Sequence, residues 1–182
     1  MPPAMHIQLY QSAKAKRYLP QFPAVAEAVP AEEADPLSLW YAEVFLMDRK
    51  PHILLCNAAT KMTVILFRYS KKQQPDLLAE WKKRLRMIGD NHGIDFSPWL
   101  DQIKGISHNP KSNRVASGHL TFFSKEFQYL IKSRNHGVYP PDDEIFYNLL
   151  LAKMPVSFGR SDKLGYSIDH FYRELLSRGL AF

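Results

Sequence analysis

The chain of 182 residues contains one cysteine, Cys56. That excludes an intrachain disulfide and any dependence on an oxidising compartment. Its setting, HILLCNA, suits a small buried apolar residue, whereas a nucleophilic thiol needs a nearby base and a lowered pKa. No apolar run approaches the roughly 18 residues that span a bilayer. The opening MPPAMHIQLY has neither a basic leader followed by a long apolar core nor a small-residue cleavage site. A cytoplasmic protein without membrane contact is the expectation. HExxH, GxxxxGK followed by Ser or Thr, GxGxxG and GxSxG are all missing, which removes the common zinc-protease, nucleotide-binding and hydrolase readings. His92, His108, His136 and His170 are scattered. Asp142, Asp143 and Glu144 open an expected helix, where capping accounts for them, so neither a metal site nor a cofactor is expected.

What is present is enough for a core. Hydrophobic residues make up 46% and aromatics 13%, far from the polar, highly charged regime of disordered chains. The length suits one domain, residues 1–182. A formal net charge of +6 and a pI near 9.4 favour anionic partners, nucleic acid or an acidic protein. Charge and length leave the oligomeric state open.

Residues 39–69 organise the rest. They hold three strand-length apolar runs separated by Asp48-Arg49-Lys50-Pro51 and Asn57-Ala58-Ala59-Thr60, the pattern of an antiparallel meander. Before them, residues 5–10 alternate as a first strand, 12–18 suit a short basic helix, and the Pro- and Ala-rich residues 19–36 read as a connector within the domain. After them, Leu77, Leu78, Trp81, Leu85 and Ile88 mark a helix over 75–90, with Lys82, Lys83, Arg84 and Arg86 beside that stripe and Gly93 as its stop. A helix over 97–103 follows, then a polar loop over 105–118 with room for a short strand at 114–116. Helices over 120–133, from Asp142 onward, and over 168–180 complete the chain. The class is α+β, one small antiparallel sheet packed with about four helices.

The stretch WYAEVFLMDRKPHILLCNAATKMTVILFRYSKK resembles the opening signature of bacterial proteins classed as domain of unknown function 6933, and KSNRVASGHLTFF is similar to that family's second motif. The matching positions are Arg49, Lys50, Asn57, Thr60, Lys111, Asn113, Arg114 and Gly118, within a similarity that spans residues 5–151. Pro51 beside the basic turn and His119 after Gly118 depart from the pattern. The resemblance implies a shared fold and no activity.

Arg49, Lys50, Asn57, Thr60, Lys111, Asn113 and Arg114 together supply cations and amides with no carboxylate among them. Arg offers a two-pronged fork and Lys a point charge to phosphate or carboxylate. If the two motifs converge they form an anion-binding corner, and the chain is a binding or regulatory module. The plainer reading gives Asn57 and Asn113 to turn hydrogen bonds and leaves the cations in water. The alternative function is a small metal-independent ribonuclease or toxin-like enzyme with His119 as the candidate catalytic base, which requires that base near a ribose hydroxyl and cations around the phosphorane.

Overall fold

The computed structural model describes residues 5–25, 33, 35–70, 76–110, 114–134, 143–157 and 164–182, with the backbone alone at 114–116. The expected meander is present as β2 (Leu39–Met47), β3 (Lys50–Asn57) and β4 (Thr63–Leu66), paired antiparallel in sequence order. Asp48 and Arg49 join β2 to β3 at φ 48° and 61°, with Met47 paired to Lys50. Positive φ at both central residues marks a type I′ connection, whose twist matches that of the strands it joins.

The sheet is larger than the meander and is mixed, which corrects the antiparallel expectation. β1 (Met5–Gln11) runs parallel to β2, and β5 (Ile103–His108) runs parallel to β1, giving the order β4-β3-β2-β1-β5. β5 occupies residues expected as helix end and loop, and the preceding helix α3 (Ser97–Leu100) is a single turn. Two features conceal this strand. A Cβ on Gly105 would lie 2.9 Å from the His6 ring, so the strand needs a residue without a side chain there. Its pairing with β1 also shifts register between Met5 and His6, which breaks the alternation. Further on, α4 (Arg114–Arg134) starts six residues before the expected helix and includes the residues expected as a short strand. Gly118, a weak helix former, obscured that start.

Strand alternation sends side chains to two separate cores. On one face Leu9, Trp40, Val44, Leu55 and Val64 pack with Trp81, Leu85 and Ile88 of α2 (Leu77–His92), with α3, and with Phe171 of α6 (Ser167–Leu176). On the other, Tyr41, Phe45, Leu54, Cys56 and Ile65 pack with Leu120, Phe123, Phe127 and Ile131 of α4 and with Tyr147 and Leu151 of α5 (Glu144–Ala152). The sheet is therefore the middle of three layers. Among the described residues there are six helices rather than about four, α1 (Ala15–Tyr18) and α3 being single turns. A second, two-stranded sheet joins β6 (Pro155–Ser157) to β7 (Leu164–Tyr166). α2 stops where the sequence indicates, with Gly93 at φ 68°, and its start is capped by Asp76, which accepts from Ala79 N–H at 3.1 Å.

Both edges of the large sheet are covered. At β4, the Asn148 side chain accepts from Ile65 N–H at 2.9 Å and donates to the Ile65 carbonyl at 3.0 Å, imitating a neighbouring strand. Glu144 accepts from Phe67 N–H at 2.6 Å and from Arg84 Nε at 2.6 Å. At β5, His108 N–H donates to the Pro23 carbonyl at 2.7 Å and Val25 N–H donates to His108 O at 3.0 Å. The Pro-rich connector thus closes an edge that would otherwise recruit another strand.

Candidate functional site

The turn from Asn57 to Lys61 links β3 to β4, and Asn57 builds it. Its amide nitrogen donates to the carbonyls of Pro36 at 2.8 Å and Leu39 at 3.3 Å, while its oxygen accepts from Ala59 N, Thr60 N and Thr60 Oγ1 at 3.2, 2.9 and 2.9 Å. Thr60 Oγ1 also accepts from Met62 N–H at 3.3 Å. Asn57 is fully buried and Thr60 nearly so. Both side chains are occupied in shaping the turn, which for Asn57 is the plainer reading of the sequence.

Arg49 and Lys50 lie elsewhere. They stand exposed at the hairpin tip, at the opposite end of β3 from Asn57. A strand of this length puts roughly 23 Å between the two ends, so the structure does not bring the basic turn to Asn57. Lys111 and Asn113 lie outside the described residues, as do His136 and Asp142. Arg114 is the first residue of α4. The cations of α2 are mostly committed to the fold: Lys82 donates to the Ile103 carbonyl at 2.6 Å, Arg84 joins Glu80 and Glu144, and Arg86 pairs with Asp101 at 2.8 Å. That leaves Lys83 exposed and favours a structural use of the cluster.

A polar corner nevertheless forms where the amino end of α4 meets the 57–61 turn. Lys61, at φ 61°, donates its amine to the Ala58 carbonyl, and burial holds that amine below the ordinary lysine pKa. Its charge reaches two neighbours. One is His119 on the second turn of α4, whose ring stands edge-on to Phe123 at 4.3 Å between centroids. Burial first, and Lys61 second, lower the His119 pKa to about 4, so the imidazole is neutral at pH 7. Among the described residues its Nε2 is buried with no hydrogen-bond partner. The other neighbour is Cys56, which burial pushes up to about 11 despite Thr63 and Lys61. The thiol is therefore protonated and unreactive at neutral pH, as its apolar setting suggests.

Lys61 carried no distinguishing mark in the sequence, where it is one basic residue in a turn; the backbone turn that draws its amine inward identifies it. Among the described residues no group of three or more His, Cys, Asp or Glu is placed to hold a metal ion, and no helix is long and apolar enough to cross a membrane. No curated protein and no solved structure matches the chain. The family model described as Domain of unknown function (DUF6933) matches residues 9–169, most of the sequence, and the chain belongs to that family.

Proposed function

We propose that the chain is a binding module that accepts an anionic group, phosphate or carboxylate, between the 57–61 turn and the amino end of α4. The observation that carries this reading is the part-buried Lys61 amine beside a neutral His119, with no carboxylate among the described residues holding its charge. A lysine whose charge is poorly solvated and unmatched gains from an arriving anion. The amino end of the 21-residue α4 adds to the attraction, since its first amides have no intrahelical acceptor and the helix dipole is positive there. Arg114 begins that helix, and Lys111 precedes it by three residues.

The ribonuclease alternative draws less support. A base with a pKa near 4 is available at neutral pH but weak, and the His119 Nε2 is turned away from solvent.

The test is calorimetric titration with inorganic phosphate and with a single-stranded RNA oligonucleotide, using wild type, Lys61→Met, and Lys83→Met as a surface control. Lys61→Met is expected to weaken phosphate binding at least about tenfold, or roughly 1.4 kcal/mol, while the control binds as wild type does. Binding is also expected to tighten below pH 6 as His119 takes up a proton beside the bound anion. Equal affinity in wild type and Lys61→Met, or no phosphate binding by either, rejects the proposal. Steep salt dependence with RNA would identify a multi-phosphate ligand.

A further inference from the structure

α4 packs over β2 and β3 and α5 over β4, so the second core draws on β1 through Tyr10 and, among the described residues, not on β5. That face of β1 and β5 is instead a polar shelf of His6, Gln8, Ser107 and, just past the end of β5, Asn109. His6 is exposed, Gln8 and Ser107 are half-buried, and Asn109 is buried. Polar residues are ordinary on the solvated face of a sheet. This face also carries three features that solvation alone does not call for.

The first is a bulge. Pairing of β1 with β5 steps from Met5↔Ile103 to His6↔Gly105, which leaves Lys104 over and re-aims the residues beyond it. The second is Gly105, a residue type that weakens a strand interior. A Cβ there would lie 2.9 Å from His6 Cε1 and 3.1 Å from His6 Nδ1, so the imidazole rests on bare backbone. The third is the Gln8 amide. Asn109 Nδ2 donates to Gln8 Oε1 at 2.9 Å, which fixes the amide and leaves its Nε2 to donate. Gln8 pairs directly with Ser107, so the two side chains rise from one face of adjacent strands about 5 Å apart. The outcome is a hydroxyl beside a base: Ser107 Oγ lies 3.5 Å from His6 Nδ1. Nδ1 accepts from the hydroxyl when the ring carries its proton on Nε2. Such a separation is at the loose end of the range, as it commonly is for nucleophile and base before substrate arrives.

We infer that Ser107 and His6 act as nucleophile and base in the cleavage of a short, uncharged carboxylic ester, with Gln8 Nε2 as donor to the oxyanion. Ser107 Oγ bonds to the ester carbonyl carbon while its proton passes to His6 Nδ1. Gln8 Nε2 donates to the carbonyl oxygen as it takes up negative charge. Collapse breaks the bond to the leaving alcohol, which takes the proton from His6. A water, deprotonated by the same nitrogen, then releases the acid and restores Ser107. No Lys, Arg, Asp or Glu belongs to this set of side chains, which suits an uncharged ester. The two reacting residues stand 101 positions apart in the sequence, so they leave no local motif. Neither belongs to the Lys61 corner, and the two readings stand or fall separately.

A fluorophosphonate reagent, which phosphonylates activated serines, tests the pair on the full chain, with the labelled serine mapped by mass spectrometry. Ser107 is expected to react at least about tenfold faster than any other serine in the chain. His6→Ala is expected to slow that labelling about a hundredfold, and free imidazole in the buffer to restore part of it. Gly105→Ala displaces the ring without removing it and is expected to slow labelling in the same way, again with rescue by imidazole. Because His6 is exposed, the thermal midpoint of His6→Ala should match wild type, which separates a lost base from a damaged fold. Wild-type Ser107 reacting no faster than other serines, equal rates in wild type and His6→Ala, or a slowed His6→Ala that imidazole does not restore each overturns the inference.

Discussion

A carboxamide offers two donor hydrogens and an oxygen with two lone pairs, and Asn57 commits all of them to the chain around it. Five contacts converge on one buried side chain, reaching back to Pro36 and forward to Thr60. Truncation would leave the carbonyl of Pro36 and the buried amide of Thr60 short of a partner, and each unsatisfied buried group costs about 1–3 kcal/mol. Asn57→Ala is therefore expected to lower unfolding free energy by about 3 kcal/mol, read as a shift of the urea midpoint at constant slope. Thr60→Val removes one donor and one acceptor and should cost less. A midpoint unchanged in Asn57→Ala would show the turn to be held by other means. The residue type here was informative in the sequence: Asn followed by Thr three positions on marks a side-chain-closed turn. What residue type could not supply was the direction of neighbouring cations. Arg49 serves a positive-φ hairpin tip and Lys61 points inward, yet both read simply as basic residues near a turn.

Among the elements, α5 does more than its nine residues suggest, because it takes the place of a sixth strand. Asn148 pairs with both polar groups of Ile65, and Glu144 joins the Phe67 amide to Arg84 on α2. Asn148→Leu keeps similar volume and removes those bonds. It is expected to cost about 2–4 kcal/mol from two unpaired backbone groups and to speed hydrogen exchange at the Ile65 amide, measured by NMR. Unaltered exchange at Ile65 would count against the edge-covering role. An uncovered β4 would also present TVIL as an aggregation template. The sequence disclosed the meander, the apolar stripe and glycine stop of α2 and the presence of a helix over 120–133, because each depends on local periodicity or a capping residue. β5 stayed hidden because it is a half-polar edge strand, interrupted by a glycine and a register shift, and its strand character comes from β1 and the connector on either side. The full length of α4 was hidden by Gly118, whose cost in a helix is offset by tertiary packing along the next four turns.

At the scale of the whole molecule, the layer built from α4 and α5 holds two neutral imidazoles. His52 is fully buried, stacked on Phe45 at 5.2 Å and set edge-on to Phe67, and burial followed by the Arg68 charge lowers its pKa to about 4. His119 lies at the same value on the other side of that core. In the unfolded chain both titrate near the ordinary histidine value of about 6.5. Between that value and about 4 the unfolded state binds more protons than the folded one. Stability is therefore fully retained above about pH 6.5 and falls as the pH drops through this window, by up to about 3 kcal/mol for His52 and less for the partly exposed His119. Much of the fall comes above the range where carboxylates protonate, which separates it from general acid unfolding of a chain already at +6. Urea midpoints at pH 7, 6 and 5 provide the measurement, and His119→Gln is expected to flatten the slope while leaving the pH 7 value nearly unchanged. A slope identical in the variant would mean that His119 is not held neutral by the fold. Phosphate connects this result to the corner itself. An anion beside Lys61 favours the charged imidazole, so the His119 share of the slope should shrink in phosphate buffer and persist in a chloride buffer of equal ionic strength.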